Sequence, residues 1–183
     1  APRLTSMRSP GRIAEVVNQS TIVRVEFPCH RWLATGGRRR GRDPHPRDVA
    51  GRSVVGRLDG KIAVVTGSAS GIGQEAARAF AREGAIVGLL DRNEAPLLAT
   101  VAEIGENAFP LVTDVTREES VKAAFDEVRR RYGRLDVLYT CAAVQLIGED
   151  APVHELDIDV WQRTHDVNLR GVYLTCKHGV RLM

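Results

Sequence analysis

The sequence predicts an α/β chain folded as a doubly wound parallel sheet, and three observations carry that reading. Short β-branched apolar runs, residues 62–65 and 86–90, alternate with stretches of helical periodicity. A glycine-rich turn follows the first run, and a carboxylate, Asp91, closes the second. Runs that are apolar throughout suit strands covered by helices on both faces. The sheet is expected to be truncated after its fourth strand and the helix that follows.

Composition sets the outer limits. A chain of 183 residues, 43% hydrophobic and 27% charged, has the makeup of one soluble globular domain able to bury a core. Its apolar runs fall well short of the about 20 residues needed to cross a bilayer. Cys29, Cys141 and Cys176 are odd in number and lack metal-ligand spacing. Neither a disulfide framework nor a zinc site is indicated, and a reducing cytoplasm is the expected setting. The net charge of +3 conceals a division. Residues 1–57 hold twelve Arg, no Lys and four acids, a net of +8 that leaves −5 for the remainder. Two parts of different character are expected, 1–57 and 58–183.

The first part strings Gly, Pro and Arg together, and within it residues 21–27 alternate as a strand would. Arg38, Arg39, Arg40 and Arg42 could neutralise phosphates, but no aromatic platform accompanies them, so no nucleic-acid partner is expected. The many Gly and Pro residues also argue against an amphipathic transit helix. The stretch reads as a disordered or non-native leader. A working start is expected near Val54 or Val55, just ahead of GRLDGKIAVVTG.

Residues 62–65 form the first strand of the second part, and the turn TGSASGIG, residues 66–73, follows at once. A helix comes next, with Ile72, Ala76, Ala77, Phe80 and Ala81 at spacings of three and four, and Gly84 stands at its end. Strand, glycine turn and helix together make a pyrophosphate site. Glycine permits the bend and the close backbone approach, and the N–H groups of the helix start point at the anion. Gly67, Ser68, Ser70, Gly71, Ile72 and Gly73 are the candidate binding residues. Asp91 ends the next strand, 20 residues beyond Gly71, where a carboxylate accepts hydrogen bonds from ribose hydroxyls and repels a 2′-phosphate. NAD is therefore expected over NADP, with the neighbouring Arg92 as the residue that could contact a phosphate instead.

A third strand, 109–113, runs into Asp114 and Val115. Thr116 and Glu119 have capping-box spacing for the helix after it. Val121, Ala124, Phe125, Val128 and Tyr132 line one face of that helix, Gly133 ends it, and Arg129, Arg130 and Arg131 fall on the solvated side. Residues 134–143 supply the fourth strand and the segment beyond it. The last helix is expected from Asp159 onward, with Trp161, Val167, Leu169 and Val172 among its apolar residues and Asn168 in its middle.

The spacing TGxxxGxG, the pair Asp114–Val115, the segment RLDVLYTCAA and the segment VNLRGVYL resemble the short-chain dehydrogenase/reductase family. The resemblance covers about 125 residues, effectively all that follows Arg57. It implies a Rossmann fold, an Asp114 carboxylate bonded to the adenine amino group, and Asn168 as a catalytic residue that loosens its helix and holds a water in a proton relay. One motif departs. Where the family has Asn-Asn-Ala-Gly, this chain has Thr140, Cys141, Ala142 and Ala143, so that Cys141 lacks a bracing amide and Ala143 adds a methyl near the cofactor. Cys141, Ala142 and Ala143 are retained as candidate cofactor contacts.

The family's chemistry also uses a serine and a YxxxK pair. Tyr173 and Lys177 spell YLTCK, but they follow Asn168 on the same helix, whereas the family's pair belongs to a later one. His154, His165 and His178 are assigned no role, since no acid pairs with them at a persuasive spacing. The chain is thus expected to be a fragment lacking Ser and YxxxK, with an exposed apolar edge at its fourth strand. The resemblance implies hydride transfer between nicotinamide and a carbonyl or secondary alcohol, with a small-molecule substrate and a homo-oligomeric full-length parent. The alternative is a nucleotide-binding module without catalysis.

Overall fold

The computed structural model describes residues 56–183 and, from the stretch before them, the backbone of two strands. These are β1 (Arg12–Asn18) and β2 (Thr21–Phe27). The Arg38–Arg42 cluster, Cys29 and the start expected near Val55 lie outside the described residues. From residue 56 the chain runs β3 (Ile62–Thr66), α1 (Gly71–Arg82), β4 (Ile86–Asp91), α2 (Glu94–Ile104) and β5 (Ala108–Val112). It continues through α3 (Glu118–Tyr132), β6 (Val137–Thr140), α4 (Ile158–His165), a π-helical segment (Asp166–Gly171) and α5 (Val172–Gly179).

The sheet has the order β2-β1-β6-β3-β4-β5. Strands β5, β4, β3 and β6 are parallel neighbours, so the chain doubles back across β3 and leaves a crevice at the carboxyl ends of β3 and β6. That reversal is where open α/β sheets take ligands. β3 is buried along its whole length and its side chains alternate between two cores. Val64 joins Leu90, Phe109, Leu138 and Phe125 on the face covered by α3 and α5. Ala63 and Val65 join Val87, Leu89, Ala77 and Leu97 under α1 and α2. A central strand with helices on both sides must bury both faces, and this is the reason for its uninterrupted Ile-Ala-Val-Val run. Among the described residues, no helix is long and apolar enough to cross a membrane.

Five features depart from expectation. The edge expected at the fourth strand is paired: β1 runs parallel to β6, with Glu15–Asn18 opposite Val137–Thr140, and β2 closes an antiparallel hairpin outside it. Unpaired N–H and C=O groups along a strand are a template for such addition. Helix α2 was not among the expected elements; its Pro96 sits in the first turn, where proline is tolerated. The capping box before α3 does not form. Arg117 occupies the cap position, and Thr116 instead donates its N–H and hydroxyl to Asp114 Oδ1 at 2.9 and 2.8 Å. Ile72 is 62% exposed instead of packing in the core, since it lies in the first turn of α1 and faces the crevice. Finally, His178 does find an acid: Glu118, distant in sequence, accepts from His178 Nε2 at 3.0 Å and from Lys177 Nζ at 2.7 Å.

Candidate cofactor site

Four strand ends and one helix start converge on a cavity of about 420 Å³ in the crevice. The turn after β3 forms its floor. Gly67 and Gly71 have φ of 68° and 57°, a left-handed backbone that side chains disfavour. A Cβ on Gly67 would lie 2.8 Å from Ala142 Cα, and one on Gly73 would lie 2.2 Å from the Gly67 carbonyl oxygen. These two glycines let the turn pack against α1 and against the loop after β6. Gly71 differs, because a Cβ there would meet nothing within 4 Å. Its side faces open space over the turn. Ser70 stands at the cap position of α1 without making a side-chain cap, so the first N–H groups of the helix keep their capacity for an anion.

β4 delivers Asp91 to the same cavity, and its orientation is set by two backbone donors. Ala69 N–H reaches Oδ2 at 3.1 Å and Asn93 N–H reaches Oδ1 at 2.9 Å. A carboxylate has about four lone-pair directions, so each oxygen retains acceptor capacity. Arg92 beside it is exposed and makes no ion pair with a described residue. After β5, Asp114 is held by Thr116 through Oδ1, and Val115 is buried against the π segment, where a Cβ on Gly171 would come within 2.8 Å of Val115 Cγ2.

β6 ends in Thr140 and the divergent Cys141-Ala142-Ala143. Here the brace between strands comes from the other side: the Thr66 hydroxyl oxygen accepts the N–H groups of Cys141 at 2.9 Å and Ala142 at 3.0 Å. Both bonds use backbone donors, so the identity of side chain 141 does not affect them. Cys141 is buried beside Tyr139, whose phenol is pushed above its ordinary value by burial and by the neighbouring thiol.

One step further on, Asn168 clamps the chain. Its Oδ1 accepts from Val144 N–H at 2.8 Å and its Nδ2 donates to the Val144 carbonyl at 2.9 Å. Asn168 lies inside the π-helical segment, a widened turn of the kind that recurs at functional sites. The clamp and the Val115–Gly171 contact dock two walls of the cavity onto one helix.

All the residues expected to meet the cofactor line this cavity except Ser68. Ser68 is fully buried beneath it, with its hydroxyl directed at the Leu90 carbonyl at 3.4 Å, so it supports the turn. Asn168 lines a second, adjoining cavity together with Ala143 and Val144. Sequence reasoning missed Leu90, Asn93, Thr113, Val144 and Val167 in the lining of the first cavity. Asn93 was within reach of it, because an Asp two positions earlier commonly bonds that N–H. Tyr173 is 62% exposed, Lys177 is paired with Glu118, and neither lines either cavity. Among the described residues, no group of three or more His, Cys, Asp or Glu could hold a metal ion.

Comparison with known proteins agrees with this architecture. Residues 61–183 match the family model described as short chain dehydrogenase. The chain belongs to the short-chain dehydrogenase family. It is 38% identical over 136 residues to a 3beta-hydroxysteroid dehydrogenase of Mediterraneibacter gnavus, covering 73% of this chain and 49% of that relative. It is 41% identical over 125 residues to a cis-4-hydroxycyclohexanecarboxylate dehydrogenase of Sinomonas cyclohexanicum, covering 67% and 49%. A solved 3-ketoacyl-(acyl-carrier-protein) reductase from Brucella melitensis, complexed with NADH, superposes with a TM-score of 0.64 at 31% identity, covering 68% of this chain and 51% of that one. The chain thus spans about half the length of the curated relatives it matches. Members of this family bind a nicotinamide cofactor, and the glycine turn, the open helix start and the strand-end carboxylates fit such a group.

Proposed function

We propose that this chain holds NAD(H) for hydride transfer between nicotinamide and a carbonyl or secondary alcohol. The carrying observation is Asp91. It is a carboxylate at the end of β4, locked by Ala69 and Asn93, and it shares one cavity with the glycine turn. A ribose diol can donate to its remaining lone pairs, whereas a 2′-phosphate would bring like charge against it.

The residues divide the work by position. The N–H groups at the start of α1 take the pyrophosphate, Gly67 and Gly73 allow its approach, and Ser70, Ile72 and Arg92 form the rim. Asp114, with Oδ1 occupied by Thr116, keeps Oδ2 for the adenine amino group. Cys141, Ala142 and Ala143 form the wall beyond β6. When bound, the nicotinamide supplies or accepts the hydride. Asn168 holds Val144, and with it that wall, in place, and it is the candidate for the family's water relay. The serine and YxxxK pair of the family's chemistry are not assigned among these residues. The substrate class agrees with two of the relatives, a 3beta-hydroxysteroid dehydrogenase and a cis-4-hydroxycyclohexanecarboxylate dehydrogenase, both named for ring alcohols. A small-molecule substrate, homo-oligomeric assembly of the full-length parent and a cytoplasmic setting belong to the same reading.

Titration of the 183-residue chain with NADH and NADPH, followed by nicotinamide fluorescence, tests the reading. NADH is expected to bind more tightly. Equal affinities would mean that Arg92 outweighs Asp91, and no binding of either would overturn the reading.

A further inference from the structure

The second cavity, about 500 Å³, adjoins the first through Ala143 and Val144. Its place in the crevice follows from the strand order. Asp91 and Asp114 stand at the ends of β4 and β5, the glycine turn at the end of β3, and the second cavity is bounded by the segment that follows β6 and by α4. A dinucleotide laid with its adenosine at Asp91 and its phosphates at the turn therefore points its nicotinamide toward this chamber. The inference rests on the NAD(H) reading above and extends it to the substrate.

The chamber walls are Ala143, Val144, Leu146 and Val160, with Gln145, Asp150 and Thr164 as polar members beside Asn168. Two of the four polar side chains, Asn168 and Thr164, are already committed. Asn168 is bonded to Val144 through both ends of its amide, and the Thr164 hydroxyl donates to the Val160 carbonyl at 2.9 Å. Asp150 accepts one N–H, from Ala151 at 3.1 Å through Oδ1, which leaves Oδ2 open. Gln145 is exposed and forms no hydrogen bond with a described residue. Residues 145–160 contain five acids and no Lys or Arg. The basic partner nearest that stretch, Arg163, is paired with Glu149, and His154 pairs with Glu155 at 3.4 Å. No cation lines the chamber.

We infer that Asp150 gives this chamber a charge preference, disfavouring substrates that carry a carboxylate or phosphate relative to uncharged ones. The apolar walls contact a hydrocarbon ring or chain, and Gln145 offers a donor and an acceptor to a neutral polar group. An anion entering the chamber meets Asp150 without a counter-charge. Because Asp150 is exposed, screening holds the discrimination to a few-fold, and salt reduces it.

The test uses the 183-residue chain saturated with NADH, which cannot transfer hydride to an alcohol, so binding is read without turnover. Two probes differ only in charge class: 4-methylcyclohexanol and 4-hydroxycyclohexanecarboxylate, titrated by ligand-observed NMR at low ionic strength. The neutral alcohol is expected to bind about threefold more tightly or better. Asp150→Asn, which keeps the Oδ1 acceptor for Ala151, should bring the ratio toward one while leaving NADH affinity unchanged, and 0.5 M salt should do the same for the unmodified chain. Equal binding of both probes, tighter binding of the carboxylate, or no binding of either while NADH binds would overturn the inference. Failure of NADH itself to bind would overturn the cofactor reading instead, and the two failures are separated by the NADH titration done first.

Discussion

The two walls of the cofactor cavity are built on different principles. The wall of β3, α1 and β4 is assembled from chain neighbours: strand, turn and helix follow one another directly, and Asp91 closes the next strand over. Its essential features are backbone features, positive φ at Gly67 and Gly71 and the absence of a Cβ at Gly73. The opposite wall, from Thr140 to Val144, has no such local logic. It is held by the Thr66 hydroxyl across the sheet and by Asn168 from a helix on the other side. At Gly67 and Gly73 the first wall has no room for a side chain, whereas the bonds that hold the second run to the backbone of Cys141, Ala142 and Val144 and do not depend on their side chains.

Gly73→Ala gives the largest expected effect. Its Cβ would sit 2.2 Å from a backbone oxygen that cannot move without distorting the turn. Stability should fall on the order of 1–3 kcal/mol in urea denaturation. NADH affinity should fall about a hundredfold, equivalent to ~2.7 kcal/mol. Gly71→Ala sharpens the point, since it meets open space and bears only the left-handed strain, about 1–2 kcal/mol. Should the two variants behave alike, the distinction between close packing and backbone strain fails.

Asn168→Ala comes next. It strips two hydrogen bonds from the partly buried Val144 backbone and should lower stability by about 1–3 kcal/mol. NADH affinity is expected to drop less than in Gly73→Ala, because the floor of the site is untouched. Asn168→Asp keeps the acceptor for Val144 N–H and loses the donor to its carbonyl, so it should fall between the alanine variant and the parent. A thermal melt that is unchanged in Asn168→Ala would show that the clamp does not hold the second wall.

A smaller, selective effect is expected from Asp91→Asn: the preference for NADH over NADPH should shrink by about tenfold, ~1.4 kcal/mol. Arg92→Ala should move the same ratio the opposite way. Fluorescence titration with both nucleotides measures it, and an unchanged ratio in both variants would remove these residues from cofactor choice.

The smallest effect is electrostatic. Burial works against ionisation of Asp136, but the Ile62 N–H, the Arg134 guanidinium and Lys61 outweigh it and hold the carboxyl below its ordinary value. A depressed carboxyl stabilises the fold above its unfolded value, near 3.8, and that contribution is lost as pH falls through the folded value. Glu127, lowered to about 2 by Arg130 and Arg131, behaves in the same direction but on the surface, where solvent screens it. Urea midpoints from pH 7 down to 2.5 should therefore decline, and Asp136→Asn should flatten the decline more than Glu127→Gln does.

How much of this could be read in the sequence depends on how far the partners lie along the chain. Strand β3, the glycine turn, α1 and Asp91 follow one another, and periodicity with turn chemistry is enough to predict them. The face of α3 carrying Val121, Ala124, Phe125 and Val128 was equally legible, and all four are buried. The start of that helix was not, because Thr116 had two possible partners and the side chain of Asp114 won over the helix N–H groups. The bonds from Thr66 to Cys141, from Asn168 to Val144 and from Glu118 to His178 join residues far apart in sequence, where spacing gives no signal.

The sequence by itself determined the parallel sheet, the glycine turn and the carboxylate at the end of β4, because each depends on local backbone preference and on apolar period. Only the tertiary structure decided which groups hold the far wall, that Ser68 lies beneath the cavity, and that β1 pairs with the edge of β6. Those outcomes are settled by which donors and acceptors meet when the strands come together, and no residue pattern along the chain encodes that meeting before the fold exists.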